Sequence, residues 1–442
     1  MIDTQSLTVR IDSGPIAGLR EGDVIAFKGI PYAAAPVGLL RWQPPQDPAP
    51  WVETRNAFDY GNDCMQKPYA APLPQAPQFS EDCLYLNVWS PAAGPAGKPV
   101  LVWIHGGGFV NGSAARPHYS GAALAAQGIV VVSFNYRFAR FGVFAHPQLT
   151  RQQGQEQALG NYGFMDQIAA LQWVQRNIAA FGGNPGDITV MGESAGGVST
   201  HALLTSPQAC NLIHKAVILS GGDGQELVAF AQAERAGEAF AAQQGIEADD
   251  PQAVAKLRQL AAIDIRGDLN MATLFEPAVE NPTHTFPCAD GKVAVDILDA
   301  YRNDRFNRVP VMIGATSDDL FGPQGSMVVG AKTLADLLAT KGLPVYRFRF
   351  TYVTQALEHE HPLGAPHSSE IPYFMGTLQQ KYGQQVTERD WKMCTITCGY
   401  LVNFVKAGNP NGQALTPWPV YLPAERKTLD FLGDASVVCF EG

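Results

Sequence analysis

The sequence has no long hydrophobic run and no recognisable leader segment. Its apolar stretches all fall short of the roughly 18 residues that a membrane-spanning helix needs. The first residues, MIDTQSLTVRIDSG, alternate as a strand does and lack the apolar centre of a signal peptide. We therefore expect no membrane segment and favour a cytoplasmic protein, with a secreted or periplasmic one left open if a signal has been removed.

Basic residues are outnumbered by acidic ones. The 442 residues include 31 lysines and arginines against 41 aspartates and glutamates, a net charge of −10. Nucleic acids and anionic membrane surfaces select basic faces, and this balance opposes both. We expect neither as a partner, and we favour a monomer.

Cysteine is scarce and odd in number. Seven cysteines cannot all pair within one chain, and their spacings do not match a zinc ribbon. Cys394 and Cys398 are four apart, as on one helix face, and we interpret them as two packed thiols. His359 and His361 are only two apart and have no third ligand at a known spacing, so a solvated loop is the simpler interpretation. We expect no metal and no cofactor.

What the sequence does contain is an alternation of strand and helix patterns. PVLVWIHG and GIVVVSFNY are continuous apolar runs, typical of central strands buried on both faces. Helical patterns cover Met165–Ala180, LVAFAQAERAGEAFAAQQG and Asp390–Lys406, with further strand patterns between them. This predicts an α/β fold with a mostly parallel, mixed central sheet flanked by helices. We expect a single domain over residues 1–442.

Ser194 is flanked in the sequence mostly by glycine and alanine. Gly192-Glu193-Ser194-Ala195-Gly196 fits the G-x-S-x-G nucleophile elbow, in which the serine occupies a sharp turn from a strand to a helix. The pentapeptide alone is a weak signal, and an ordinary Gly/Ser turn would look the same. It follows the strand pattern DITV and precedes a plausible helix start, which is the context that the motif requires.

Three consecutive glycines, Gly106 to Gly108, follow another strand in VWIHGGGFVNGS. Acyl transfer creates a negative oxygen that needs preorganised N–H donors, and glycines let the backbone approach it closely. We assign these donors to the amides of Gly107, Gly108 and Ala195, which would form an oxyanion hole. A flexible glycine turn is the alternative.

At this point the sequence resembles the type-B carboxylesterases, the cholinesterase and para-nitrobenzyl-esterase-like branch of the α/β-hydrolases. FGGNPGDITVMGESAGG and EDCLYLNVWSP resemble the two signatures of that family. GIPYAAAPVGLLRWQPP, GATSDDLFG and GAPHSSEIPYF also fall in family order. The resemblance covers nearly the whole chain and implies an α/β-hydrolase fold and a serine carboxylesterase without a cofactor.

The resemblance implies a catalytic triad in the order serine, acid, histidine. Ser194 matches the nucleophile and His367 the base. Asp319 takes the position where family members usually carry a glutamate, and Asp318 remains the alternative acid. Glu193 and Ser220 resemble residues that support the triad, although both could simply hold turns.

The resemblance also implies a disulfide between Cys64 and Cys83, which a reducing cytosol would leave as thiols. Only 48 residues separate Asp319 from His367, fewer than family members usually have, which predicts a reduced helical insertion and a more open gorge. Small to medium or bulky esters are the expected substrates. Two alternatives stay open: the same machinery acting on an amide, carbamate or thioester, and a non-catalytic adhesion module of this fold.

Overall fold

The chain is built around one large sheet whose middle is parallel. A computed structural model describes residues 6–67, 78–153, 160–274 and 282–441. Within them, twelve strands lie along the sheet: β1 Ser6–Ile11, β2 Gly14–Glu21, β3 Val24–Pro31, β4 Tyr85–Pro91, β5 Lys98–Ile104, β6 Val130–Phe134, β7 Gly183–Glu193, β8 Lys215–Leu219, β9 Val311–Thr316, β10 Val345–Phe350, β11 Lys427–Phe431 and β12 Val437–Glu441. A two-residue strand, Arg55–Asn56, pairs beside β2.

The order of the strands is β1-β2-β3-β4-β6-β5-β7-β8-β9-β10-β11-β12. From β6 to β11 every neighbouring pair is parallel. The first four strands are antiparallel to one another, β4 runs antiparallel to β6, and β12 runs antiparallel to β11. The predicted mixed, mostly parallel sheet is confirmed.

Helices flank this sheet: α1 Ala122–Ala125, α2 Ala139–Gly142, α3 Pro147–Gln153, α4 Tyr162–Asn177, α5 Ala195–Thr205, α6 Phe230–Gln243, α7 Ala253–Gln259, α8 Ala262–Arg266, α9 Met271–Leu274, α10 Ile297–Arg302, α11 Ser326–Thr340, α12 Ile371–Met375, α13 Leu378–Tyr382 and α14 Glu388–Ala407. In the described part of the chain, no helix is long and apolar enough to cross a membrane.

Both faces of the central strands are buried, which explains their continuous apolar sequences. Along β5, Val102 and Ile104 point into one core, and Leu101 and Trp103 point into the other. Helices α4, α5, α10 and α11 cover the first face, whereas α1, α12, α13 and α14 cover the second. Parallel strands covered on both faces are the usual arrangement in α/β proteins.

The stretch from Asp319 to His367 contains one α-helix, α11, and one strand, β10. Leu334 and Leu338 of α11 are fully buried in the core that includes β9 and β10. This helix is therefore the crossover between two parallel strands. The predicted reduction of the helical insertion agrees with this arrangement, because LADLLATKG belongs to the sheet packing.

Candidate active site

The elbow serine lies between the last residue of β7 and the first residue of α5. Ser194 adopts φ 56° and ψ −123°, a strained backbone conformation for a residue with a side chain, and it is 7% exposed. A Cβ at Gly192 would lie 2.1 Å from the Gly196 carbonyl oxygen, and one at Gly196 would lie 2.1 Å from the Ile104 oxygen. Only glycine fits at these two positions, which accounts for the motif.

The candidate base and acid meet at a short hydrogen bond. His367 Nδ1 lies 2.6 Å from Asp319 Oδ1, and the histidine side chain is 18% exposed. The loops that carry them are joined by a backbone bond of 3.0 Å from Asp318 N–H to the Ala365 carbonyl. Asp319 is thus the carboxylate that contacts the imidazole, and Asp318 contributes its backbone to the alignment.

Asp319 is surrounded by donors. Its Oδ2 accepts hydrogen bonds from the hydroxyls of Ser220, at 2.6 Å, and Thr316, at 2.7 Å. Its Oδ1 also accepts from the Leu320 amide at 2.7 Å. Burial alone would raise the pKa of Asp319, but the hydrogen bond and charge of His367 and these hydroxyls outweigh burial and lower it. The acid is therefore held as an anion.

A second carboxylate lies on the other side of the imidazole. Glu193 Oε1 is 3.2 Å from His367 Nε2, and it also accepts a hydrogen bond from the hydroxyl of Ser368. Burial, with the charge of Asp319, raises the pKa of Glu193, although the charge of His367 and the hydrogen bond from Ser368 oppose this rise. Burial opposes the charged imidazole too, but Glu193 and Asp319 together raise the pKa of His367 to about 9.

The candidate nucleophile and the candidate base are not hydrogen-bonded to each other here. Among the described residues, the Ser194 hydroxyl has no hydrogen-bond partner, and His367 Nε2 faces Glu193 instead. Catalytic hydrogen bonds are often long in unliganded sites and shorten when substrate binds. The imidazole is nevertheless placed beside the elbow, because Glu193 directly precedes Ser194 in the chain.

The glycine loop follows β5 and touches the elbow. A Cβ at Gly106 would lie 3.0 Å from Ser194 Cβ, and Gly107 and Gly108 have φ angles of 114° and 59°. A Cβ at Gly107 would lie 1.9 Å from the Asn111 oxygen, so this backbone requires glycine. Within the described ranges, the amides of Gly107, Gly108 and Ala195 donate no hydrogen bond. They remain available to a ligand.

His105 packs under the start of this loop, on its buried side. Its ring stacks on Tyr136 with centroids 4.6 Å apart, and the Tyr136 hydroxyl donates to the His105 carbonyl at 2.9 Å. Burial lowers the pKa of His105 to about 4, so the ring is neutral at pH 7. The loop is thus fixed by packing on its buried side.

Other predicted residues lie elsewhere or stay untested. Cys64 and Cys83 are buried free thiols with sulfur atoms 2.7 Å apart, so their disulfide stays a prediction. Cys394 and Cys398 are both buried on α14. The described residues contain no group of three or more histidine, cysteine, aspartate or glutamate side chains placed to hold a metal ion. The proline- and alanine-rich segment PYAAPLPQAP, residues 68–77, lies outside the described residues.

Sequence reasoning missed three side chains of this site: Thr316, Ser368 and Glu370. Glu370 is fully buried at the start of α12, and neither of its side-chain oxygens has a hydrogen-bond partner among the described residues. Burial raises the pKa of Glu370 well above its ordinary range, and the charges of Glu193 and Asp319 add to the rise. In the sequence, Ser368 and Glu370 lie in the segment GAPHSSEIPYF, which gives no sign of these contacts.

Comparisons with known proteins place this geometry in a family. The profile of the Carboxylesterase family matches residues 5–323 and 323–437. The chain is 32% identical to a fumonisin B1 esterase of Sphingopyxis macrogoltabida, over 94% of this chain and 85% of the relative. It is 32% identical to the para-nitrobenzyl esterase of Bacillus subtilis, over 94% and 93%.

A solved PNB esterase structure superposes with a TM-score of 0.86 at 29% identity, covering 98% of this chain and 97% of that one. Its fold and the sheet described above agree. The chain therefore belongs to the carboxylesterase family, and it is a carboxylic-ester hydrolase with the α/β-hydrolase fold.

Proposed function

We propose that the chain hydrolyses small to medium or bulky carboxylic esters through a triad of Ser194, His367 and Asp319. The observation that carries this proposal is the 2.6 Å contact between His367 Nδ1 and Asp319 Oδ1 beside a strained serine elbow. Base and orienting acid in contact next to a nucleophile form the arrangement of serine hydrolases.

The proposed reaction has two halves. His367 Nε2 takes the proton of the Ser194 hydroxyl, and the serine oxygen bonds to the ester carbonyl carbon. The carbonyl oxygen becomes an anion that the amides of Gly107, Gly108 and Ala195 stabilise. The C–O bond to the alcohol then breaks, the alcohol leaves with the proton from His367, and an acyl-serine remains.

Water completes the cycle. His367 takes a proton from a water molecule, whose oxygen attacks the acyl carbon and forms a second oxyanion at the same amides. The bond to Ser194 breaks, the serine recovers its proton from His367, and the carboxylic acid leaves. Asp319 stays ionised throughout, which its four hydrogen-bonding neighbours His367, Ser220, Thr316 and Leu320 favour.

Two features support a wide range of acyl or alcohol groups. The helix between acid and histidine packs on the sheet, and the His367 side chain keeps 18% of its surface exposed. Amide, carbamate or thioester hydrolysis would use the same residues. The names of the reported relatives favour an ester.

Hydrolysis of p-nitrophenyl esters from acetate to laurate tests the proposal. The wild type should turn over the short esters, and Ser194→Ala should lose several orders of magnitude in kcat, as removal of a nucleophile does. Ser436→Ala, in the turn between β11 and β12, is the matched serine control and should behave as wild type. Equal inertness of wild type and Ser194→Ala would overturn simple-ester hydrolysis and favour the binding-module alternative.

A further inference from the structure

Ser368, directly after the candidate base, has a backbone conformation that a serine rarely adopts. Its φ is 67°, in the left-handed region where a Cβ is unfavourable and glycine is the usual residue. Non-glycine residues persist in this region when surrounding contacts impose it, and such positions cluster at functional sites. The contacts of its side chain are therefore informative.

The Ser368 hydroxyl donates a hydrogen bond to Glu193 Oε1, the oxygen that also lies 3.2 Å from His367 Nε2. The other oxygen of this glutamate lies close to the backbone of the glycine loop. A Cβ at Gly106 would lie only 2.8 Å from Glu193 Oε2, and the Glu193 side chain is 3% exposed. Ser368 and the glycine loop thus fix this carboxylate against the imidazole.

The imidazole accordingly lies between two acceptors. Nδ1 faces Asp319 and Nε2 faces Glu193, at 2.6 Å and 3.2 Å. A neutral imidazole carries one N–H and can donate to only one of them, whereas an imidazolium donates to both. Glu370, from the start of α12, adds a third carboxyl near the ring, and the Tyr119 hydroxyl lies in the field of Glu193 and Glu370.

We propose that Ser368 is a positioning residue whose hydroxyl holds the Glu193 carboxylate against His367 Nε2, so that the imidazole rests as a cation and becomes the base for Ser194 only as the pH rises. This inference rests on the proposed esterase function and goes beyond it, because it assigns a residue that sets the pH range of activity. Glu193 stabilises the proton on Nε2, and His367 can act as a base only after Nε2 has lost that proton.

The direction of the effect follows from the charges. The Ser368 hydrogen bond lowers the pKa of Glu193 against burial. Without the hydroxyl, Glu193 takes up a proton more readily, and His367 loses one of the anions that raise its pKa. The pKa of His367 then falls towards its ordinary value, and the acid limb of the pH–activity profile moves to lower pH.

The experiment compares pH profiles of kcat/KM for p-nitrophenyl acetate in the wild type, Ser368→Ala and Ser368→Gly. Glycine accepts φ 67° without strain, so the two variants share the loss of the hydroxyl and differ in backbone strain. Both acid limbs should move down by about half a pH unit or more, an increase of about threefold in kcat/KM on the acid side. Ser369→Ala is the matched control, since the Ser369 hydroxyl is buried without a partner among the described residues.

A limb that stays in place in both variants overturns the proposal. A shift in Ser368→Ala that is absent in Ser368→Gly also overturns it, because strain alone would then be responsible. In a Glu193→Gln background, Ser368→Ala should add no further shift, since both act through one carboxylate. An additional shift there would contradict the assigned route.

A readout that needs no turnover separates this proposal from the esterase function. An NMR titration of the histidine rings, with His367 assigned by the loss of its signal in His367→Asn, reports the pKa of the imidazole directly. It should fall in Ser368→Ala and in Ser368→Gly. If the pKa of His367 falls in both variants but the wild type hydrolyses no ester, only the proposed function is refuted. If the wild type is active but the pKa of His367 does not fall, only the role of Ser368 is refuted.

Discussion

At the scale of single residues, the neighbours of Asp319 distinguish it from Asp318 as the proposed acid. Asp319 satisfies both oxygens with hydroxyl and amide donors, while the contact of Asp318 with the histidine loop is made by its backbone. Two adjacent aspartates in one loop thus have different roles. The resemblance to the family favoured Asp319 and left Asp318 as the alternative, because only the folded structure shows which side chain turns inward.

We expect Asp319→Asn to lower kcat/KM by roughly 10³- to 10⁴-fold, since the amide cannot stabilise the imidazolium or fix its tautomer. Asp318→Asn should stay within about twofold of the wild type, because only its backbone aligns the loops. Steady-state kinetics on p-nitrophenyl acetate measures both. A larger loss in Asp318→Asn than in Asp319→Asn would reverse the assignment.

At the scale of elements, α14 is linked to the histidine side of the site through one buried aspartate. Thr387 and Asp390 form a capping box at the start of α14. Asp390 Oδ1 also accepts hydrogen bonds from the hydroxyls of Tyr352, at 2.7 Å, and Tyr373 on α12, at 3.3 Å. The start of α14 is therefore hydrogen-bonded to α12, whose first turn directly follows Glu370.

Replacing the two capping residues, Thr387 and Asp390, should lower the free energy of unfolding by different amounts. Thr387→Ala should lower the free energy of unfolding by about 1 kcal/mol, the usual value for a lost N-cap. Asp390→Ala should lower it by roughly 3 kcal/mol, because it also leaves the buried hydroxyl of Tyr352 without its acceptor. Urea unfolding followed by circular dichroism measures both. Equal losses would mean that the tyrosine contacts contribute nothing.

Prediction of the elements from sequence succeeded where the pattern was local. The predicted helix Asp390–Lys406 is α14, Glu388–Ala407, and it ends at Gly408, which has φ 68°. The runs PVLVWIHG and GIVVVSFNY contain β5 and β6, because burial on both faces demands apolar residues throughout. Short helices such as α8, with five residues, were not predicted, because little more than one turn is too short to show a helical periodicity in the sequence.

The site itself was predictable only in part. Ser194 and the glycine loop carry motifs because the backbone at these turns demands glycine, whereas His367 was predicted from the resemblance to the family. Ser368 and Glu370 lie in the segment GAPHSSEIPYF, but that segment does not show their interactions with Glu193, which is more than 170 residues away in sequence. Such contacts appear only when the loops of separate strands are brought to one edge of the sheet.

At the scale of the whole molecule, fully buried neutral histidines couple stability to pH. His201 on α5 accepts or donates at 2.8 Å to the Tyr301 hydroxyl, and burial lowers its pKa from 6.5 to about 3. His201 therefore stays neutral in the folded state at pH values at which it is protonated in the unfolded chain. This contribution is complete above pH 6.5 and is lost as the pH falls towards 3.

We expect the wild type to lose about 1.4 kcal/mol more than His201→Gln between pH 7.5 and pH 5.5, which is the linkage of one proton over one pH unit below 6.5. Glutamine can still bond to Tyr301 but does not titrate. Urea unfolding at the two pH values measures the difference. His359→Gln is the control, because His359 is 76% exposed, and it should follow the wild type. Parallel losses in all three proteins would contradict the coupling.

The order of the site residues along the chain has a consequence for how the enzyme is made. Residues of the site enter the chain as separate segments, from the glycine loop at Gly106 through the elbow at Ser194 to Asp319 and finally His367. A ribosome that has translated the proposed nucleophile, Ser194, has not yet translated the proposed base, His367. The growing polypeptide therefore carries an unactivated serine for more than 170 codons, and competence for hydrolysis should arise in a single late step of synthesis.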